Sequence, residues 1–328
     1  MSSLSGRCMS PIPFSRRTFL AAGTATAAAI VSGCSSTHSA TDASANDGWI
    51  DAHTHVWSDD TQKFPVGRWV KPAEMTPRRF TAEDWLRVAA PAGVRRAVVI
   101  QHSPYFGNDS SYLFDCQHRY PGVFAIVGRV DEHEPDLASR VRSLKDRGVR
   151  GLRISPTIHG DRTPVADPPN WLKSDGMHTL WRAAANESLA ICPILSPEFL
   201  PTLGPMCAEF SGMRCVIDHL GQIDIQAEDQ IEKLLQLSKY PNVFVKISAF
   251  YKFGTRKPPY LDLEPVIRRL VAEFGASRLM WGSDCPYQLQ NGNTFKDSVD
   301  LIASRLQFLS PADRRAMLHD VAHRLFFA

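Results

Sequence analysis

Two histidines separated by one residue, His53 and His55, lie in the run Trp49-Ile-Asp-Ala-His-Thr-His-Val-Trp57. The run is apolar enough to be a strand, and the side chains of a strand alternate between its two faces. Asp51, His53 and His55 are therefore predicted on one face, with Ile50, Ala52, Thr54 and Val56 on the other. Two imidazoles aimed at one point pack a core poorly but hold a divalent metal, or stabilise developing negative charge, well. Residues of related chemistry recur at the ends of other apolar runs: His102 after Ala97–Ile100, Arg153 within Val149–Ile154, His219 after Arg214–Ile217, Lys246 and Ser248 around Val243–Ile247, and Asp284 after Arg278–Trp281. A carboxylate beside neutral imidazoles can join them as a metal ligand or take a proton from water as general base. His319 and His323 have the i, i+4 spacing of a helical metal site, but no Glu follows the first of them, and they are expected on a solvated helix face.

These residues need a frame that brings strand ends together. The runs Val123–Val130 and Leu189–Leu195 complete a set of eight short apolar segments. Continuous apolar runs, rather than alternating ones, are the mark of parallel strands buried on both faces. Between them lie segments of helical period: Thr81 to Gly93, opened by the capping-box pattern Thr81-Ala-Glu-Asp84, then Tyr112–Tyr120, Asp136–Arg147, Met177–Glu187, Glu198–Phe210, Gln230–Ser238 and Leu263–Phe274. Two further helices are expected over Phe295–Leu306 and Pro311–Phe326. Eight strand–helix units fit a single (β/α)₈ TIM barrel with an extra C-terminal helix, in which the carboxyl ends of the strands build the active site. Closure sets the first strand beside the eighth, and so Asp284 beside His53 and His55. No glycine-rich phosphate loop opens the first helix, which counts against a nucleotide fold. The long connection from Ser58 to Phe80 is expected to be a lid or binding loop.

The 328 residues carry a formal charge of only +3, which gives no reason to expect nucleic acid as a partner. Residues 1–34 are a different material from the rest. Ser15-Arg16-Arg17-Thr18-Phe19-Leu20 precedes an Ala- and Thr-rich run, as in a twin-arginine export signal, and Val31-Ser32-Gly33-Cys34 has the form of a lipoprotein box. Residues 35–48 would then be a polar tether and 49–328 the catalytic domain. The expected location is the periplasm or cell envelope, with membrane contact only through a lipid on Cys34. Five of the seven cysteines lie beyond this leader, without CxxC or framework spacing, so no zinc–cysteine site is expected.

Asp51-Ala-His-Thr-His55, Gly151-Leu-Arg153, Ile217-Asp-His219-Leu-Gly and Trp281-Gly-Ser-Asp284-Cys-Pro together resemble the amidohydrolase-related (amidohydrolase 2) family of TIM-barrel hydrolases. The likeness is greatest to its lactonase-like branch, which includes pyrone-dicarboxylate and sugar-acid lactonases. Ile100-Gln-His-Ser-Pro-Tyr105 and Ala322-His-Arg-Leu-Phe326 extend it, so that it covers about residues 49 to 327. Metal-binding relatives carry a histidine at the end of the fifth strand, where this chain reads Leu189-Ala-Ile-Cys-Pro-Ile-Leu195. That departure favours lactone opening over decarboxylation. The resemblance implies one divalent ion, zinc or manganese, on His53, His55 and Asp284, and equally admits a metal-independent route. In the expected reaction Asp284 activates water, His219 assists at the oxyanion, and Arg153, His102 and Lys246 bind a small-molecule substrate. Amide or C–C bond cleavage at the same site, or a catalytically silent binding protein, are the competing readings. Self-association is left open.

Overall fold

The eight apolar runs form the expected strands: β1 Trp49–Thr54, β2 Val94–Ile100, β3 Phe124–Gly128, β4 Val149–Ile154, β5 Ala190–Pro193, β6 Cys215–Ile217, β7 Val243–Ser248 and β8 Leu279–Gly282. Each pairs in parallel with its sequence neighbour to give one eight-stranded sheet. This is a computed structural model, and it describes residues 48–158, 163–165 and 167–328. The twin-arginine-like leader, Cys34 and the tether up to Asp47 lie outside the described residues.

The barrel closes between β1 and β8 through loop backbone: Asp284 N–H donates to His53 O at 2.7 Å and His55 N–H to Cys285 O at 2.8 Å. Gly282 lets the two strands approach, since a Cβ there would stand 2.7 Å from His53 Cβ and 2.8 Å from His53 N.

Amphipathic helices cover the sheet: α1 Ala82–Ala89, α2 Ser111–Arg119, α3 Leu137–Asp146, α4 Asp175–Asn186, α5 Leu200–Glu209, α6 Glu228–Leu235 and α7 Glu264–Phe274. The expected capping box opens α1, with Thr81 Oγ1 accepting from Asp84 N–H and Asp84 accepting from Thr81 N–H. The two last helices are not continuous. Each widens into a π turn, α8 Phe295–Asp300 into Leu301–Arg305, and α9 Pro311–Arg315 into Ala316–Asp320 before α10 Val321–Phe326. Val321, Ala322, Leu325 and Phe326 of α10 join the cluster inside the barrel, with Ile50, Val98 and Phe244, so α10 forms its floor.

His319 and His323 do not lie on a solvated face. His319 is buried, with Nδ1 2.7 Å from Asp320 Oδ1 and Nε2 3.0 Å from Arg96 Nη2 of β2, and its ring stacks on that of His323. The helix face that carries them packs against the start of β2 instead of facing water.

Strict alternation also fails in β1. Ile50 and Ala52 pack inside the barrel, whereas Asp51 faces the helices and accepts from Trp85 Nε1 at 3.2 Å. His53 should follow Asp51 outward. A register shift intervenes: Asp51 pairs with Ala97 but Thr54 with Val99, three steps on one strand against two on the other. The extra residue is a β-bulge, and it turns His53 into the barrel mouth.

Candidate active site

The mouth is built from strand ends. His53 comes from β1 and His55 from the residue just after it, Arg153 from β4, Asp218 and His219 from the turn after β6, Lys246 and Ser248 from β7, and Asp284 from the turn after β8. All eight are buried. His219 and Asp284 both adopt left-handed backbone, φ 51° and 58°, a costly conformation for residues with side chains and one that clusters at functional sites.

Asp284 is the centre. Its Oδ1 lies 3.6 Å from His53 Nε2 and 3.4 Å from His55 Nε2, while Oδ2 is 3.9 Å from His219 Nε2 and accepts from the Tyr251 hydroxyl at 2.6 Å. Oδ1 is buried without a hydrogen-bond donor. Burial alone would raise this carboxyl, but the imidazoles of His219, His55 and His53 outweigh it and hold the group well below the usual carboxylate range. Burial pushes His219 down to about 4, against the pull of Asp284 and Asp218, with Arg153 and Lys252 adding to the depression. Burial holds His53 below the ordinary histidine value too, against the attraction of Asp218. The His53 and His219 imidazoles beside this carboxylate thus resist protonation.

The neighbours orient those rings. His55 Nδ1 lies 2.8 Å from the Ile100 carbonyl, which places its proton there and leaves the Nε2 lone pair toward Asp284. His53 Nδ1 lies 3.2 Å from Asp218 Oδ1, with the same result. His219 Nδ1 meets Ser248 Oγ at 2.9 Å. Asp218 also takes Lys246 Nζ at 3.0 Å and Arg153 Nη2 at 3.1 Å. Burial would raise its carboxyl, but Lys246, His53 and Arg153 keep it well below the ordinary range.

The residues fit a divalent ion. One atom each of His53, His55 and Asp284 lies within 4.8 Å of the others. Metal–ligand bonds of about 2.0–2.1 Å in a tetrahedral site put ligand atoms about 3.3–3.4 Å apart, close to the separations of Oδ1 from the two Nε2 atoms. The buried, donor-free Oδ1 and the two outer-shell hydrogen bonds on the imidazoles are what such a site requires.

A family model described as Amidohydrolase matches residues 50–328. The chain belongs to the amidohydrolase family. This amidohydrolase is 32% identical over 242 residues to an L-fucono-1,5-lactonase of Burkholderia ambifaria, covering 72% of this chain and 80% of that one. It is 26% identical over 290 residues to a 4-sulfomuconolactone hydrolase of Hydrogenophaga intermedia, covering 85% and 88%. Among solved structures, a Pseudomonas putida protein provisionally named a 2-pyrone-4,6-dicarboxylic acid hydrolase superposes with a TM-score of 0.71 at 25% identity, covering 86% of this chain and 98% of its own. An amidohydrolase of Burkholderia multivorans, crystallised with zinc, shares the fold with a TM-score of 0.70 at 22% identity, over 84% and 98%.

The amidohydrolase gathers His53, His55, His219, Asp284, Arg153 and Lys246 as the strand ends imply. His102 stands at the rim, its ring 5.0 Å from that of His55 and Nε2 2.6 Å from the Tyr287 hydroxyl. Lys246 departs from the expected substrate contact. It is wholly buried between Asp218 and the Phe326 ring of the floor, so its ammonium neutralises Asp218 from beneath. Asp218 and Tyr251 are the site residues that the strand-end reading passes over. Asp218 was visible beside His219 as part of Asp-His-Leu-Gly; Tyr251 follows the left-handed Ala249 in a loop and carries no sequence signal.

The Ser58 to Phe80 connection is tied down. Trp57 and Phe80 pair at its base, Gly67 N–H donates to the Tyr105 carbonyl, and Trp69 Nε1 donates to the Pro104 carbonyl. Trp57 at the base of this loop and Tyr105, to whose carbonyl the loop is tied, pack around His102 at the rim.

Proposed function

We propose that this amidohydrolase opens the ester of a small lactone of sugar-acid or pyrone-carboxylate type, with Asp284 as general base. The observation that carries the reading is the buried, ionised and donor-free Oδ1 of Asp284 held between two imidazoles. The names of the relatives, two of which act on lactones, supply the substrate class.

The substrate carbonyl lies over the imidazoles. Asp284 Oδ1 takes a proton from water, whose oxygen attacks that carbonyl, while the Tyr251 hydroxyl holds Oδ2 and fixes the direction of the free oxygen. With Ser248 donating to Nδ1, His219 carries its proton on Nε2 and offers it to the oxyanion. The ester C–O bond then breaks, and Asp284 returns its proton to the departing ring oxygen. Arg153 spends one nitrogen on Asp218 and keeps a buried Nε without a partner, available to the substrate, and His102 borders the ring at the rim. Held by His53, His55 and Asp284, a zinc or manganese ion would polarise the carbonyl and add positive charge where the oxyanion forms.

Asp284→Asn is expected to fold normally and to lose at least about a thousandfold in turnover on a lactone panel. Near-normal acid release by that variant would overturn the assignment. Turnover that survives chelation would give a metal-independent reaction, and turnover restored only by zinc or manganese would make His53, His55 and Asp284 its ligands. Export by the twin-arginine route with Cys34 as lipid anchor is part of the proposal. It rests on Arg16-Arg17 and Val31-Ser-Gly-Cys34. Fractionation of cells making an Arg16→Lys, Arg17→Lys variant tests it, and undiminished export would refute it.

A further inference from the structure

His53 and His55 are not equivalent as metal ligands. The Nε2 lone pair of His55 meets Asp284 Oδ1 at 3.4 Å, with the Nδ1 proton on the Ile100 carbonyl. The Nε2 lone pair of His53 meets two groups. One is Asp284 Oδ1 at 3.6 Å, and the other is the Arg153 guanidinium, whose Nη2 donates to it at 3.4 Å. The same Nη2 donates to Asp218 Oδ2 at 3.1 Å. On the far side of the ring, Lys246 Nζ stands 3.3 Å from Nδ1 and 3.0 Å from Asp218 Oδ1. Two permanent cations thus flank His53, and a single carboxylate, Asp218, answers both.

An imidazole lone pair that accepts a hydrogen is not open to a metal ion. For His53 to become a ligand, Arg153 Nη2 must leave Nε2, and its charge then lies beside a divalent cation in a buried site, where like charges repel strongly. Arg153 has no escape by losing its proton, since a guanidinium stays charged. Nor has it far to go, being buried on β4 and held by Asp218.

We propose that Arg153 competes with a divalent ion for His53. Its guanidinium holds the metal affinity of the site down, and an ion binds only when that group turns off the ring while Asp218 retains it. The inference concerns the ligand set alone and holds whichever bond the enzyme breaks. By linkage, any molecule that draws Arg153 toward itself strengthens metal binding, and the bound metal strengthens the hold on that molecule by the same factor.

Zinc titration against a chromophoric chelator tests this on the purified protein, counting as site-bound only the zinc lost in His55→Ala. Arg153→Gln keeps a polar amide without the charge and is expected to bind zinc about tenfold or more tightly than the wild type, whereas Arg153→Lys, which keeps the charge, should stay within about threefold. No site-bound zinc in wild type and Arg153→Gln alike, or no gain in Arg153→Gln, would overturn the competition. A gain as large in Arg153→Lys would reject repulsion as its cause. Should Arg153→Gln fail to fold, a zinc-soaked crystal of the wild type decides. Zinc on His53 Nε2 with the guanidinium turned away is the expected result, and zinc in the site with Nη2 still on Nε2 would refute it.

Discussion

In the proposed reaction, Asp284 would owe its reactivity to an imbalance between its two oxygens. Oδ2 accepts from Tyr251, while Oδ1 faces two imidazole lone pairs and receives nothing. Tyr251→Phe removes a hydrogen bond to a charged group, typically about 1.5–3 kcal/mol, so kcat is expected to fall about ten- to a hundredfold with KM little altered. A matching rise in KM would instead make Tyr251 a substrate contact. The histidines and Asp284 were legible in the sequence because strand ends advertise themselves as polar residues closing apolar runs. Tyr251 and the burial of Lys246 were not, because a loop has no period, and an isolated lysine in an apolar strand reads alike whether it reaches substrate or a buried carboxylate.

At the scale of elements, all eight strands and the helix order followed from hydrophobic pattern, with boundaries displaced by up to four residues. The bulge in β1 did not, because one inserted residue leaves the composition of the strand unchanged while reversing which face His53 occupies. Asp51, read as a companion of the histidines, instead accepts from Ser283 N–H at 2.8 Å and from its hydroxyl at 2.5 Å. It pins the segment that leads to Asp284 onto β1. Gly282 is the other half of that seam. Gly282→Ala must push His53 aside and is expected to cost about 1–3 kcal/mol in urea denaturation and to depress turnover at least tenfold. Gly128→Ala, whose new carbon would meet Val149 methyls at 3.5 and 3.6 Å and Ser110 Oγ at 3.8 Å, all ordinary contacts, is the control, expected to stay within about 0.5 kcal/mol. Equal effects of the two would deny the seam its special role.

For the whole molecule, the buried site makes stability depend on pH. His219 binds its proton only near pH 4 in the fold against 6.5 ordinarily, so the unfolded chain takes up a proton first and stability falls as pH drops between these values. His53, Asp218 and Asp284, all held low, act in the same direction. Asp51 acts in the opposite one. Burial raises it to about 6 despite its hydrogen bonds, so its share of stability is full below its ordinary 3.8 and is lost as pH rises through 6. Denaturation midpoints should therefore decline from pH 6.5 to 4, and more steeply in Asp51→Asn. A decline no steeper in that variant would contradict the assignment of Asp51.

The floor of the barrel has a consequence for how the protein is made. Phe326 and its neighbours in α10 seal the inside of a sheet whose first strand begins at Trp49. During synthesis, strands emerging from the ribosome have no stopper for their inner face until those late residues follow, so an incomplete chain exposes an open, greasy tube. The inner face of the sheet therefore stays uncovered until α10 docks on it.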